Sequence, residues 1–489
     1  MNKIFLLFLL LFLITSCDDY LDTELEGQYT TSTFFKTKNH AISAINATYQ
    51  IAAFNSSNNN LWVFGDVASD DTIKGGFDGD QSDISLVDAF LVNPNNGSIR
   101  AIWQHYYEGI ARANSVIYYV PKIDMDVDLR ARIVGEAKFL RAYFYFHLSN
   151  IFGSIPLKTI PALTPDELNV PLASVETIYT QIELDLSEAA TVLNVTSDGA
   201  DVGRATKGSA LGLLSKTYLF QEKWQLAAET AVLVEGLGYS LTNLYRDNFN
   251  VESENNSESV FEIQHLTGQI PATGTYLNQW FSPSLITGYF FNAPTQNFVD
   301  EFEITPAAVL DPRLDYSVGR EGNLWVNNEV FDPLWSPTTY LSKKQVQDPG
   351  ESPIGDGDLN YTFMRFSEIL LIKAEALNEL GNTSQALIPL NKVRIRARES
   401  YLYDPNLDGF GTIPENLLPE VTSTNTSVVR TAIRHERRVE LGLEFHRFYD
   451  LMRYGSVYAE QALSDTQFNY ALHRYFPIPQ SEIDSNTNL

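Results

Sequence analysis

The chain of 489 residues is poor in several things, and each shortage narrows what it can do. It has a single cysteine, Cys17, so no intramolecular disulfide can form. Basic residues number 34 against 61 acidic ones, a formal charge of −27. A chain of that sign repels nucleic-acid backbones and anionic lipid, so no nucleic-acid partner is expected, and surface charge cannot be what holds it to a membrane. Beyond the N-terminus no apolar run approaches the 18 or so residues that a spanning helix needs. Histidines are few, seven in all, and none shows metal-ligand spacing. His-Glu-x-x-His, Gly-x-Ser-x-Gly and phosphate-cradling glycine loops are all missing. With 61 carboxylates, chance acid pairs are guaranteed, so pairing alone does not argue for glycoside hydrolysis. An enzyme is not expected.

What is present starts at the first residues. Lys3 precedes eleven uninterrupted apolar residues, Ile4 to Ile14, the length of a secretory h-region and too short to span a bilayer. Leu13-Ile-Thr-Ser-Cys17 then reads as a lipobox, with small residues at the cleavage point and a cysteine to be acylated. Residues 1–16 are therefore expected to be a signal peptide, Cys17 the lipidation site, and the acidic stretch 17–31 a tether. Acylation would leave no free thiol for catalysis or metal binding. The alternative is an ordinary secretory signal followed by a chance cysteine.

The remainder, from a chain 44 % hydrophobic and 12 % aromatic, has the composition of a folded protein. Helical spacing of apolar residues begins with Ala41, Ile42, Ile45 and Tyr49 and returns over 99–119, 129–152 and 176–193. In 129–152 the stripe is Ala137, Leu140, Phe144 and Leu148, and Gly153 and Pro156 stop it. Two stretches look like helix–turn–helix pairs. In 205–237, Ala210, Leu214 and Tyr218 would face Trp224, Ala228 and Leu233. In 363–397, a run ending at Gly381 is followed by Ala386, Leu390 and Val393. Both resemble degenerate tetratricopeptide units, although generic helical hairpins would show the same pattern. Residues 54–83 are expected to be a long loop. Residues 239–360 differ from the rest, being rich in Pro, Asn, Gly and aromatics, with three of the six tryptophans (Trp280, Trp325, Trp335). They read as loops and short strands laid over a helical scaffold.

Four segments carry a family resemblance: Glu136-Ala-Lys-Phe-Leu-Arg-Ala-Tyr-Phe-Tyr145 with Gly153-Ser-Ile-Pro156; Arg365 to Gly381; Glu436-Arg-Arg-Val-Glu-Leu-Gly-Leu-Glu-Phe-His-Arg-Phe-Tyr-Asp-Leu-Met-Arg-Tyr-Gly455; and Phe476-Pro-Ile-Pro-Gln-Ser-Glu-Ile483. Together with the lipobox they resemble the SusD/RagB family of outer-membrane nutrient-binding lipoproteins. One departure is Phe445, where that family usually has glycine. The resemblance implies a mainly α-helical SusD-like fold with tetratricopeptide-like helix pairs and a loop-rich subdomain with short strands. It divides the mature chain into an N-terminal helical region (32–238), the loop-rich aromatic subdomain (239–360) and a C-terminal helical region (361–489). It also implies a lipid-anchored, surface-exposed outer-membrane protein that captures a glycan and passes it to a TonB-dependent, SusC-like transporter. Oligopeptide capture in the manner of RagB, a surface glycosidase and a purely structural adaptor are the rivals.

Residue chemistry supplies candidate sites. The third motif spaces Leu441, Phe445, Phe448 and Met452 as one buried helical stripe, with Glu444 and Arg447 placed to pair at i,i+3. Its charges, beside His435 and His446, are expected to lock helices together. Asp404, Asn406, Asp408 and Glu415, with Gly409 at the sixth position, fit the ligand spacing of an EF-hand loop and suggest a structural calcium ion. Gly411 and Pro414 do not suit that loop, and a turn-rich Asx loop is the alternative. A sugar needs aromatic faces with amides or carboxylates nearby. Residues 62–83 offer these, as do Asn278-Gln-Trp-Phe281 and Tyr289-Phe-Phe-Asn292. The candidate ligand-binding residues are Trp62, Asp71, Lys74, Phe77, Trp280, Phe281, Tyr289 and Trp325, with Asp70 and Trp335 nearby candidates. For any one aromatic, a core role is as good a reading as a binding role.

Overall fold

Pairs of antiparallel helices, each laid against the next, make up most of the molecule. The computed structural model describes residues 34–284, 288–348 and 355–489. Cys17, the signal segment and the tether lie outside the described residues. The long helices in chain order are α1 (Lys38–Ala52), α2 (Gly97–Tyr119), α3 (Val127–Phe152), α4 (Val175–Val192), α5 (Lys207–Phe220), α6 (Trp224–Glu235), α7 (Phe366–Glu379), α8 (Thr383–Tyr403), α9 (Thr426–Leu441) and α10 (Arg447–Tyr454). Each of α1 to α6 packs on its successor, α6 reaching α7 across the intervening 130 residues. Helix starts are capped by side chains that accept the first free N–H groups: Asp126 from Leu129, Ser174 from Thr177, and Thr206 from Ser209. The expected stripe of α3 is fully buried, and the two expected helix pairs are α5/α6 and α7/α8. One residue of the first pair is misplaced by the pattern. Leu233 is 57 % exposed, while Ala231 and Val234 face α5 and the core in its stead.

Two sheets of two strands tie the loop-rich region to this scaffold. Strand β1 (Thr72–Gly75) pairs antiparallel with β3 (Phe291–Pro294), and β2 (Ser259–Ile263) with β4 (Tyr361–Arg365). The stretch 54–83 is therefore not one long loop. It contains a π-helical turn, Val63–Val67, then β1, then the start of a short helix, Ser82–Asp88. Its partners lie more than 200 residues away, so no local periodicity marks it.

The third motif also departs from expectation. Leu441, Phe445, Phe448 and Met452 are all buried, but not as one helix. Helix α9 ends at Leu441 and the chain turns through Leu443 (φ 64°) and Phe445 (φ 65°) before α10 begins. A side chain at Gly442 would meet the Phe298 ring at 2.4 Å, so glycine admits Phe298 at the break. Phe445 holds a left-handed conformation at a cost of about 1–2 kcal/mol. Its ring is stacked on Tyr361 at 4.9 Å and edged by Phe54 at 5.7 Å, contacts that offset that cost. Glu444 and Arg447 do not pair with each other: Glu444 accepts from Lys344 and Arg365, and Arg447 donates to Asp70. Among the described residues no helix is long and apolar enough to cross a membrane.

Candidate functional site

The break after α9 positions the floor of a cleft. The buried carboxylate of Asp66, inside the π-helical turn, accepts the Phe445 N–H at 3.0 Å and the Asn292 amide at 3.1 Å. Burial pushes the Asp66 carboxyl up to about 8, against the pull of those two hydrogen bonds. Gly65 permits the approach, since a Cβ there would lie 2.3 Å from the Phe445 carbonyl oxygen. One group thus pins together the turn that follows Trp62, the β3 strand that carries Phe291, and the link between α9 and α10. π-Helical turns recur where a helix must present functional groups, and this one presents Trp62.

Five rings follow one another along this floor. Tyr276 and Trp280 lie 6.0 Å apart between centroids, Trp280 and Trp62 6.0 Å, Trp62 and Phe291 5.8 Å, and Phe291 and Tyr289 5.7 Å. The last two contacts are stacked. They line an open cleft of about 770 Å³, together with amides and carboxylates that include Asn55, Asn60, Asp80, Gln81 and Asp83. Two buried polar atoms of the lining, Trp62 Nε1 and Asn60 Oδ1, have no hydrogen-bond partner in the protein.

The candidate residues divide clearly. Trp62, Trp280 and Tyr289 meet in the cleft. Tyr289 is 42 % exposed and Tyr276 half-buried, whereas Trp62 and Trp280 are 2 % and 8 % exposed and present little more than an edge. Phe281 lies behind Trp62, wholly buried at 5.5 Å. Phe77 is exposed but rests on Phe290, outside the lining. Lys74 turns its ammonium to the carbonyls of Phe77 and Asp80. Asp71 is fully buried against Arg438 at 2.8 Å, and Asp70 meets Arg447 at 2.7 Å. Burial pushes both carboxyls up. For Asp71 it prevails, while for Asp70 Arg447 and Arg438 outweigh it and hold the group below the carboxylate range. Trp325 belongs to a separate cluster with Phe331 and Trp335. Sequence reasoning passed over Tyr276, Gln279, Asn60 and Phe291 as individual residues. Tyr276 was visible at i−4 from Trp280, and Phe291 within the Tyr289–Asn292 run.

Charges in the C-terminal helices are committed to one another. Glu440 meets Arg313 at 3.0 Å and Arg365 at 2.9 Å, and also pairs with Arg396. Burial raises its carboxyl, but the three guanidinium groups outweigh that and hold it far below the ordinary range. Arg365 also reaches Glu258 and Glu444 at 2.7 and 2.8 Å. His446 takes a hydrogen bond from Lys216 and is held neutral by burial and that cation. His435 bridges Glu301 and Glu303; burial lowers its pKa, but the two carboxylates win and raise it to about 9. The EF-hand-like loop does not gather its ligands. Asp404 is buried on the Tyr316 hydroxyl and Arg246, whereas Asn406, Asp408 and Glu415 face solvent. Among the described residues no group of three or more acidic, histidine or cysteine side chains is placed to hold a metal ion.

Comparison with known proteins accords with this architecture. The model described as "SusD family" matches residues 247–489, and the one described as "Starch-binding associating with outer membrane" matches residues 19–219. A solved structure named "Laminarin binding SusD-like protein" is 30 % identical, covers 92 % of this chain and 98 % of its own, and superposes with a TM-score of 0.76. The chain belongs to the SusD family. SusD-like protein P25 of Formosa agariphila is 25 % identical over 98 % of this chain and 95 % of its own length. Surface glycan-binding protein A from Bacteroides thetaiotaomicron, solved in complex with laminarihexaose, shares the SusD fold at a TM-score of 0.74 and 21 % identity, covering 93 % of this chain and 98 % of its own. The mainly helical, tetratricopeptide-like architecture is thus that of the SusD fold.

Proposed function

We propose that this protein is a non-enzymatic glycan-capture protein of the outer membrane, binding an oligosaccharide in the cleft floored by Trp62. The observation that carries the reading is the run of five rings beside amides and carboxylates. Sugar C–H faces lie on rings, and sugar hydroxyls pair with such polar groups. The laminarin-binding relative at 30 % identity favours a glycan over a peptide. In this reading Cys17 carries the lipid that anchors the protein at the cell surface, and the captured glycan passes to a TonB-dependent, SusC-like transporter. The anchor compensates for a surface charge that would repel anionic lipid.

Titration calorimetry with laminarihexaose and a panel of other oligosaccharides tests the site. Tyr289→Ala and Tyr276→Ala are the informative variants, because both side chains reach solvent and their loss leaves the floor in place. Each is expected to weaken binding of the best ligand about tenfold, the size of a contact worth roughly 1.4 kcal/mol. Unchanged affinity in both would remove the cleft as the binding site. Hydrolysis of a bound glycan that one carboxylate substitution abolishes would replace capture by catalysis.

A further inference from the structure

The charges around the cleft narrow the class of glycan. This inference rests on the cleft being the glycan site. The described lining contains two carboxylates, Asp80 and Asp83, and no Lys, Arg or His. Lys74, whose ammonium donates to the carbonyls of Phe77 and Asp80, lies 6.0 Å from the Phe291 ring, and Arg100 stands beside Gly97; neither is part of the lining. Proteins that select sulfate or carboxylate groups place guanidinium or ammonium donors against them. Here an anionic substituent would meet two carboxylates in a wall partly shielded from water, where like charges repel more strongly than in bulk solvent.

We propose that the cleft selects uncharged glycans and rejects uronate-rich and sulfated ones, with Asp80 and Asp83 as the discriminating residues. Asp83 Oδ2 accepts the Gly97 N–H, and its other oxygen and the Asp80 carboxylate can accept hydrogen bonds from neutral hydroxyls, so they favour one class while opposing the other.

The test compares two sets of probes on the mature protein by calorimetry at low and moderate salt. Laminarihexaose, cellohexaose and mannohexaose form the neutral set; a hexamannuronate and a sulfated carrageenan hexasaccharide form the acidic set. At least one neutral probe is expected to bind a hundredfold or more tightly than either acidic probe. The gap is expected to shrink about tenfold in the double variant Asp80→Asn, Asp83→Asn and to narrow with added salt. The amide replacements keep shape, and an unchanged melting temperature verifies that the variant is folded. Acidic probes that bind as tightly as neutral ones would overturn the selectivity while leaving glycan capture intact. A gap that survives the double substitution unchanged would take the role from these two carboxylates. Failure of every probe in both sets would remove the glycan reading itself.

Discussion

The ionic cluster beneath α8 and α9 and the cleft around Trp62 are built from opposite materials. At the first, Arg313, Arg365 and Arg396 converge with Glu258, Glu436 and Glu440 at full burial, and every charge has a partner. At the second, rings predominate and charges are few. Arg and Glu beside two histidines look like chemistry, yet here they are structure. Aromatic side chains in irregular sequence look like core, yet some of them form the wall of a cleft. What separates the two is access: the ionic cluster closes on itself under full burial, whereas the amides and carboxylates of the cleft border an open volume.

The sharpest way to break this contrast is to remove one member of the ionic cluster. Arg365→Ala would strand Glu258, Glu440 and Glu444 without their shared cation, and a loss of about 3–5 kcal/mol in urea unfolding is expected. A stable variant with reduced ligand affinity would place Arg365 in the binding machinery. The His435 bridge gives the next effect. Its proton is held in the folded state up to about pH 9 but released near 6.5 once unfolded, so its stabilisation is complete below pH 6.5 and lost as pH rises through about 9. Stability should fall across that window by about 2 kcal/mol after discounting for partial exposure. His435→Gln should flatten the fall, and a slope that persists unchanged would shift its origin to other groups. Smaller still is the cost of Tyr289→Ala, about tenfold in ligand affinity with little change in melting temperature. A melting temperature lowered by many degrees would make Tyr289 a core residue. The smallest effect concerns the loop after α8. Millimolar calcium is expected to leave the melting temperature where it was, and a rise abolished by Asp408→Asn would show a cation there.

Much of the scaffold was legible because helices announce themselves locally. Ala137, Leu140, Phe144 and Leu148 recur at the spacing that buries one face, and all four are buried. The cleft was legible in part, since Trp62, Trp280 and Tyr289 stood out as aromatics in irregular stretches. Asp71, Lys74 and Phe281 were selected on the same grounds and went instead to an ion pair, two backbone carbonyls and the core. Nothing in the local sequence separates those fates. They depend on β1 meeting β3 and on Asp66 meeting Phe445, contacts between segments hundreds of residues apart. The left-handed turn at Phe445 was likewise hidden, because the helical stripe from Leu441 to Met452 continues unbroken through it on paper.

The Asp66–Phe445 hydrogen bond joins residues 379 positions apart. Contacts of such separation close late in folding, after the local helix pairs have formed. The cleft floor is therefore a seam between the two ends of the described chain, and it cannot be excised as a module or grafted with its rings alone. A chain truncated at the end of α9 would keep every aromatic of the cleft and still lack Phe445, the clasp that sets them. Ligand binding by this protein is thus also a readout that its synthesis has passed Phe445.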